Sequence, residues 1–132
     1  MLTIYKNGGI KIMKYKTFKY KKYKNCYFEV GNYAYNRQSM YIQIKNDAEG
    51  DITTATVNMS DYMYYPETAT IKNYGENTGM TNFLFKLGIL TDVYSKRKCN
   101  PYAPDNETID YCQVDVDKLK EYSARFEYNY EI

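Results

Sequence analysis

The sequence predicts an α+β fold: an antiparallel sheet of four to six strands with two short helices packed on one face. Three observations carry this. Two runs between Met40 and Met59 alternate apolar and polar residues around an acidic, glycine-containing turn, the pattern of a hairpin with one buried face. Residues 77–88 place apolar side chains at helical spacing and end on glycine. Residues 109–126 read as a strand followed by an aspartate-capped helix.

In chain order, Leu2–Lys6 reads as a short strand closed by a Gly8-Gly9 turn. The same glycine pair sits four codons before Met13, where purine-rich codons can serve as a ribosome-binding site, so Met13 is a candidate natural start. Residues 14–24, KYKTFKYKKYK, alternate lysine with aromatic residues. In an extended chain Tyr15, Thr17 and Lys19 point one way, and Lys14, Lys16, Phe18 and Tyr20 the other, so neither face is cleanly apolar. We therefore read residues 1–24 as a basic arm, a solvated segment or lysine-protected edge, attached to a single domain over 25–132.

Cys26, Phe28 and Val30 share one face of an expected strand over Asn25–Val30. Met40, Ile42 and Ile44 form the inner face of the next, and Thr53, Ala55, Val57 and Met59 that of its partner. Asp47, Glu49 and Asp51 in the turn have the alternating spacing of a calcium loop. Their glycine falls at the fourth position instead of the sixth and no glutamate follows at the twelfth, so a solvated turn is expected. Ser60–Pro66 is a loop carrying Tyr62, Tyr64 and Tyr65 beside Met63, followed by a strand at Thr68–Ile71. Met80, Phe83, Leu84 and Leu87 line one face of a helix capped by Asn77 or Thr78 and closed by Gly88. Asp92–Lys98 and Asn100–Asn106 read as strand and loop, and Ile109–Val114 as a strand. Asp115 caps a last helix with Leu119, Tyr122 and Phe126 on one face, and the tail YNYEI is expected to fray.

Composition narrows the function. Apolar residues make up 44% and charged residues 26% of the 132-residue chain, a globular balance for one domain. Tyrosine stands out at 18 residues, which suits amphipathic binding faces and equally a low-GC genome. The net charge of +2 hides a split: residues 1–24 hold eight lysines and no acid, whereas 25–132 hold ten basic and sixteen acidic residues. A basic arm on an acidic body points to partners more than to fold.

With no histidine there is no imidazole base, and the usual nucleophile–base pairings are not legible, so no enzymatic activity is expected. Cys26, Cys99 and Cys112 lack metal-ligand or disulfide-framework spacing, so no metal or cofactor is expected and the cytoplasm is the expected compartment. No apolar window is long enough for a transmembrane helix. Candidate contact residues are Lys14, Lys16, Lys19, Lys21, Lys22 and Lys24 in the arm, Tyr62, Tyr64 and Tyr65 in the loop, and the second basic patch Lys96, Arg97 and Lys98.

Four stretches, TATVNMSDY (54–62), ATIKNYGENTGM (69–80), LGIL (87–90) and VDVDKLKEY (114–122), carry a resemblance. Together they resemble an uncharacterised family of small proteins from phages, plasmids and conjugative elements of low-GC Gram-positive bacteria. The likeness spans roughly 40–123 and departs at Met59-Ser60, where Leu-Pro is usual in the family. It carries no established chemistry, so no functional residue transfers. What the resemblance implies is setting: a small accessory gene on a mobile element, a class that often encodes inhibitors of host defence. The expectation is a non-enzymatic inhibitor of a bacterial defence complex, an anti-CRISPR protein binding a Cas effector. The alternative is a nucleic-acid-binding accessory protein that uses the basic arm.

Overall fold

The computed structural model describes residues 2–6, 9–13, 15–35, 38–59 and 65–130, with side chains from Tyr15 onward. It is α+β, as the patterning predicts, and mostly antiparallel. The strands divide among three pairing groups instead of one sheet. β1 (Leu2–Lys6) and β2 (Gly9–Met13) form a separate antiparallel hairpin.

β4 (Tyr23–Asn32) is the spine of a five-stranded sheet. It pairs antiparallel with β3 (Phe18–Tyr20) and β5 (Met40–Asn46), and parallel with β10 (Ser123–Phe126). β6 (Gly50–Thr54) pairs with β5 through the acidic turn. The expected partner strand over Thr53–Met59 is thus corrected. β6 stops at Thr54 because the next residues leave the hairpin to meet a second sheet.

That crossing is a seam. Ala55 N donates to Ile42 O at 2.8 Å on the β5 side, and Ala55 O accepts from Lys72 N at 2.9 Å on the other. Val57 N donates to Thr70 O at 2.9 Å, and Thr56 bridges Ile71. Alternation in the sequence therefore continues past the hairpin because backbone pairing continues, with a different strand. The second sheet has the order β7 (Thr68–Asn73), β9 (Thr108–Val114), β8 (Leu90–Lys98). β9 is central and buried on nearly every residue, whereas β8 is an edge strand exposed from Thr91 to Lys98.

Helix α1 (Met80–Leu87) packs on β7 and β8. Its Met80 and Leu84 are buried and Phe83 and Leu87 flank the core. Gly88 closes it with φ at 87°, in the left-handed region that glycine adopts without steric cost. Asp115 caps α2 (Val116–Glu121), with its Oδ1 accepting from Lys118 N at 3.0 Å. The expected longer helix is corrected. Ser123 Oγ donates to Leu119 O at 2.6 Å, the chain leaves the helix there, and Phe126 lies in β10. The tail is tied rather than frayed through residue 130. Asn129 N donates to Asn32 Oδ1 at 2.8 Å, and Glu67 N donates to the Tyr128 hydroxyl at 2.9 Å.

One apolar core joins both sheets and both helices, and it contains Phe18 (8% exposed) and Tyr20 (5%). This corrects the arm as a solvated segment. Phe18 stacks obliquely on Phe28 at 4.6 Å between ring centres, and Tyr20 meets Phe83 edge-on at 5.1 Å. The core thus begins before residue 25. Each ring supplies far more buried apolar area than a lysine stem can, so aromatic burial decides the segment's position and the lysines fall outside it. Asn25, at φ 54°, is the extra residue of a bulge that realigns β3 with β4.

Candidate partner-binding surface

The β8–β9 arm collects exposed aromatic and cationic groups on an ordered frame. Tyr94 on β8 is 58% exposed, yet its hydroxyl donates to Gln113 Oε1 at 2.7 Å and its ring lies 5.9 Å from Tyr111. Tyr65 reaches the same place. Its N donates to the Tyr111 hydroxyl at 2.9 Å, and the Thr68 hydroxyl donates to Tyr65 O at 2.6 Å. With that proton committed, the Tyr111 hydroxyl donates to Thr68 Oγ1 at 2.9 Å. Tyr65, Thr68, Tyr94, Tyr111 and Gln113 enclose an almost wholly apolar notch of about 300 Å³.

The loop beyond β8 ends on Tyr102, which is 96% exposed. It is built to hold that residue out. Asn100 Oδ1 accepts from Tyr102 N at 2.9 Å, and Ala103 N donates to Asn100 O at 3.1 Å. Glu107 N then donates to Pro104 O at 3.0 Å, and Cys99 N to Glu107 O at 3.1 Å. Pro101 and Pro104 flank the ring and restrict the backbone, so little ordering entropy remains to be lost when Tyr102 is gripped. Sequence reasoning missed this residue and Tyr94, because an isolated exposed tyrosine has no periodic signature. The Pro-Tyr-Ala-Pro string was the available clue.

Lys96, Arg97 and Lys98 lie exposed on β8, the run that joins the notch to this loop. Lys98 pairs with Asp105 at 3.3 Å, whereas Lys96 has no carboxylate within ion-pair distance among the described residues. Asp92, Asp105, Glu107 and the buried Asp110 face three cations, so the arm as a whole carries no positive excess and a formal charge of −1. Tyr62, Tyr64 and Lys14 lie outside the described residues.

The remaining arm lysines sit elsewhere, on β3 and its hairpin with β4. Lys16 pairs with Glu121 at 2.9 Å, and this contact holds the Glu121 carboxyl below its ordinary range. Lys21 Nζ donates to Glu76 O at 2.6 Å, while Lys19, Lys22 and Lys24 are exposed. The structure does not bring these lysines to β8. In pairing order β5, the seam, β7 and β9 intervene.

The asparagine-rich stretch 73–79 turns out to be framework. Asn77 is fully buried, where its Oδ1 accepts from Thr53 Oγ1 and its Nδ2 donates to Thr54 O, each at 2.6 Å. It pins β6 to the 3-10 turn Gly75–Asn77 and does not cap α1, which corrects that expectation. Gly79 is the N-cap residue, and Asn73 satisfies the helix N-terminus instead, with its Oδ1 accepting from Gly79 N at 3.2 Å and Thr81 N at 3.0 Å.

Asp110 is buried, and its Oδ2 accepts from Thr81 Oγ1 at 2.6 Å while Oδ1 has no hydrogen-bond partner among the described residues. Burial, with Asp110 nearby, pushes the Cys112 thiol up to about 12, which makes it an inert packing group. In the acidic turn, Asp47 accepts from the Tyr27 hydroxyl at 2.9 Å and Asp51 pairs with Lys45 at 3.5 Å. No group of three or more His, Cys, Asp or Glu among the described residues could hold a metal ion. No helix of the described residues is long and apolar enough to cross a membrane.

No protein-family model matches this chain, and searches of curated proteins and of solved structures return no match.

Proposed function

We propose that the protein is a non-enzymatic binding protein that docks on a protein partner through the β8–β9 arm. In the setting that the sequence resemblance implies, it is a phage- or mobile-element-encoded inhibitor of a bacterial defence complex. The target we favour is a CRISPR effector in the host cytoplasm. The supporting observation is Tyr102, 96% exposed on a hydrogen-bonded, proline-flanked loop that follows β8, the edge strand bearing the exposed Tyr94. Exposed tyrosines held on an ordered frame are the composition of interface anchors. The arm's lack of a positive excess favours a protein surface over a polyanion, since nucleic-acid contacts need an excess of positive charge.

The test is expression of the full chain in bacteria whose DNA-targeting effector is programmed against a lytic phage. Phage plating efficiency should recover by orders of magnitude relative to an empty vector. Unchanged plating, with the protein detectably expressed, rejects a defence inhibitor of that class.

A further inference from the structure

We propose that the β3–β4 hairpin is a second, independent site that binds single-stranded nucleic acid by stacking one base on Tyr23. It does not rest on the β8–β9 reading. The hairpin is an ordered platform: Phe18 and Tyr20 anchor β3 in the core, and the chain turns at Lys21, whose φ is 52°. Tyr20 and Tyr23 face each other across the turn. Between them and Ile52 and Thr53 of β6 lies an open notch of about 340 Å³. That is room for one nucleotide, with the half-buried Tyr23 ring forming part of the wall.

The charge fits a phosphate chain running along the hairpin: Lys21 and Lys22 line the notch, and Lys19 and Lys24 alternate to the hairpin's other face. Residues 15–24 hold five lysines and no acid. Lys21 is committed to Glu76 O, but Lys19, Lys22 and Lys24 are exposed, with no ion-pair partner among the described residues. Lys22 Nζ lies over the Tyr23 ring, 5.4 Å from its centre, so a base stacked on that face takes the ammonium's place and moves the cation to its edge. The one carboxylate at the notch, Glu76, is already paired with Lys72 at 2.7 Å. A flat ring with flanking lysines reads an unpaired base and its phosphates, whatever the sequence. In a duplex the base face is occupied by its neighbours and cannot reach Tyr23.

The test is fluorescence anisotropy of a labelled oligothymidylate titrated with the full-length protein, across a salt series starting at about 50 mM. Three phosphate contacts predict a log–log salt slope of about −2, since each contributes about −0.7 on a single strand. Lys19→Glu/Lys22→Glu/Lys24→Glu should abolish binding, because all three side chains are exposed and the variant keeps its core. Tyr23→Ala should weaken binding by about tenfold and Tyr23→Phe should restore it, since stacking needs the ring and not the hydroxyl. A blunt duplex of equal length should bind more weakly. Absence of binding at the lowest salt overturns the proposal. So does binding that survives the triple substitution with the fold intact by circular dichroism, which moves the site elsewhere. Equal affinity for the duplex with no effect of Tyr23→Ala also overturns it, leaving only diffuse charge attraction. A failure here leaves phage plating in the interference test unaltered, so the two readings fall separately.

Discussion

Asn77 shows how much a single buried amide carries. Both ends of its side chain are used at 2.6 Å, and no water can replace them at zero exposure. Asn77→Ala would orphan Thr54 O and the Thr53 hydroxyl. We expect a loss of about 2–3 kcal/mol, read by urea denaturation. Tyr27 gives a pH prediction. Burial, then its hydrogen bond to Asp47, pushes its phenol up to about 12 from 10.0. The folded state therefore holds a proton that the unfolded chain releases, so the contribution is intact below about pH 10 and is lost as pH rises toward 12. Tyr20 and Tyr128 shift the same way, chiefly through burial. Tyr27→Phe should therefore reduce the decline of stability over that window without removing it, measured by denaturation at stepped pH.

At the scale of elements, β3 is the sharpest test of the architecture. Phe18→Ala should cost about 3–5 kcal/mol in thermal or urea unfolding, because a large ring leaves a cavity among Phe28, Phe83 and Tyr122. A solvated arm would tolerate the change. Gly88→Ala should cost about 1–2 kcal/mol, since φ at 87° strains any side chain and the new Cβ would meet Lys118 Cε at 3.2 Å. Both follow from features of unequal legibility. Gly88, Asp115 and the inner faces of β4 and β5 were readable because each obeys a local rule: a left-handed C-terminus, an N-cap and a period of two. β3 was not, because lysine at every second or third position masks two core aromatics. β10 was not, because Leu119, Tyr122 and Phe126 keep helical spacing across a helix–strand junction. The end of β6 was hidden because Ala55–Val57 changes partner without changing its alternation.

At the scale of the molecule, the seam at Ala55–Val57 fuses two sheets over one core and leaves two chemically distinct extremities. The hairpin at one is cationic, and the arm at the other is aromatic with no positive excess. Of the contact residues legible in sequence, Tyr65 gathers with Tyr94 in the notch, whereas Lys96, Arg97 and Lys98 lie further along β8, with Lys96 on the α1 side. Tyr102, the most exposed group among them, had no signal beyond its flanking prolines. The measurement that tests the central claim most directly is the affinity of the full-length protein for a purified, guide-loaded CRISPR effector. It compares the native sequence with Tyr94→Ala/Tyr102→Ala at matched thermal midpoints. Loss of two anchors predicts weakening by at least about thirtyfold. Tight binding that the double substitution leaves unchanged would contradict a docking surface on the β8–β9 arm.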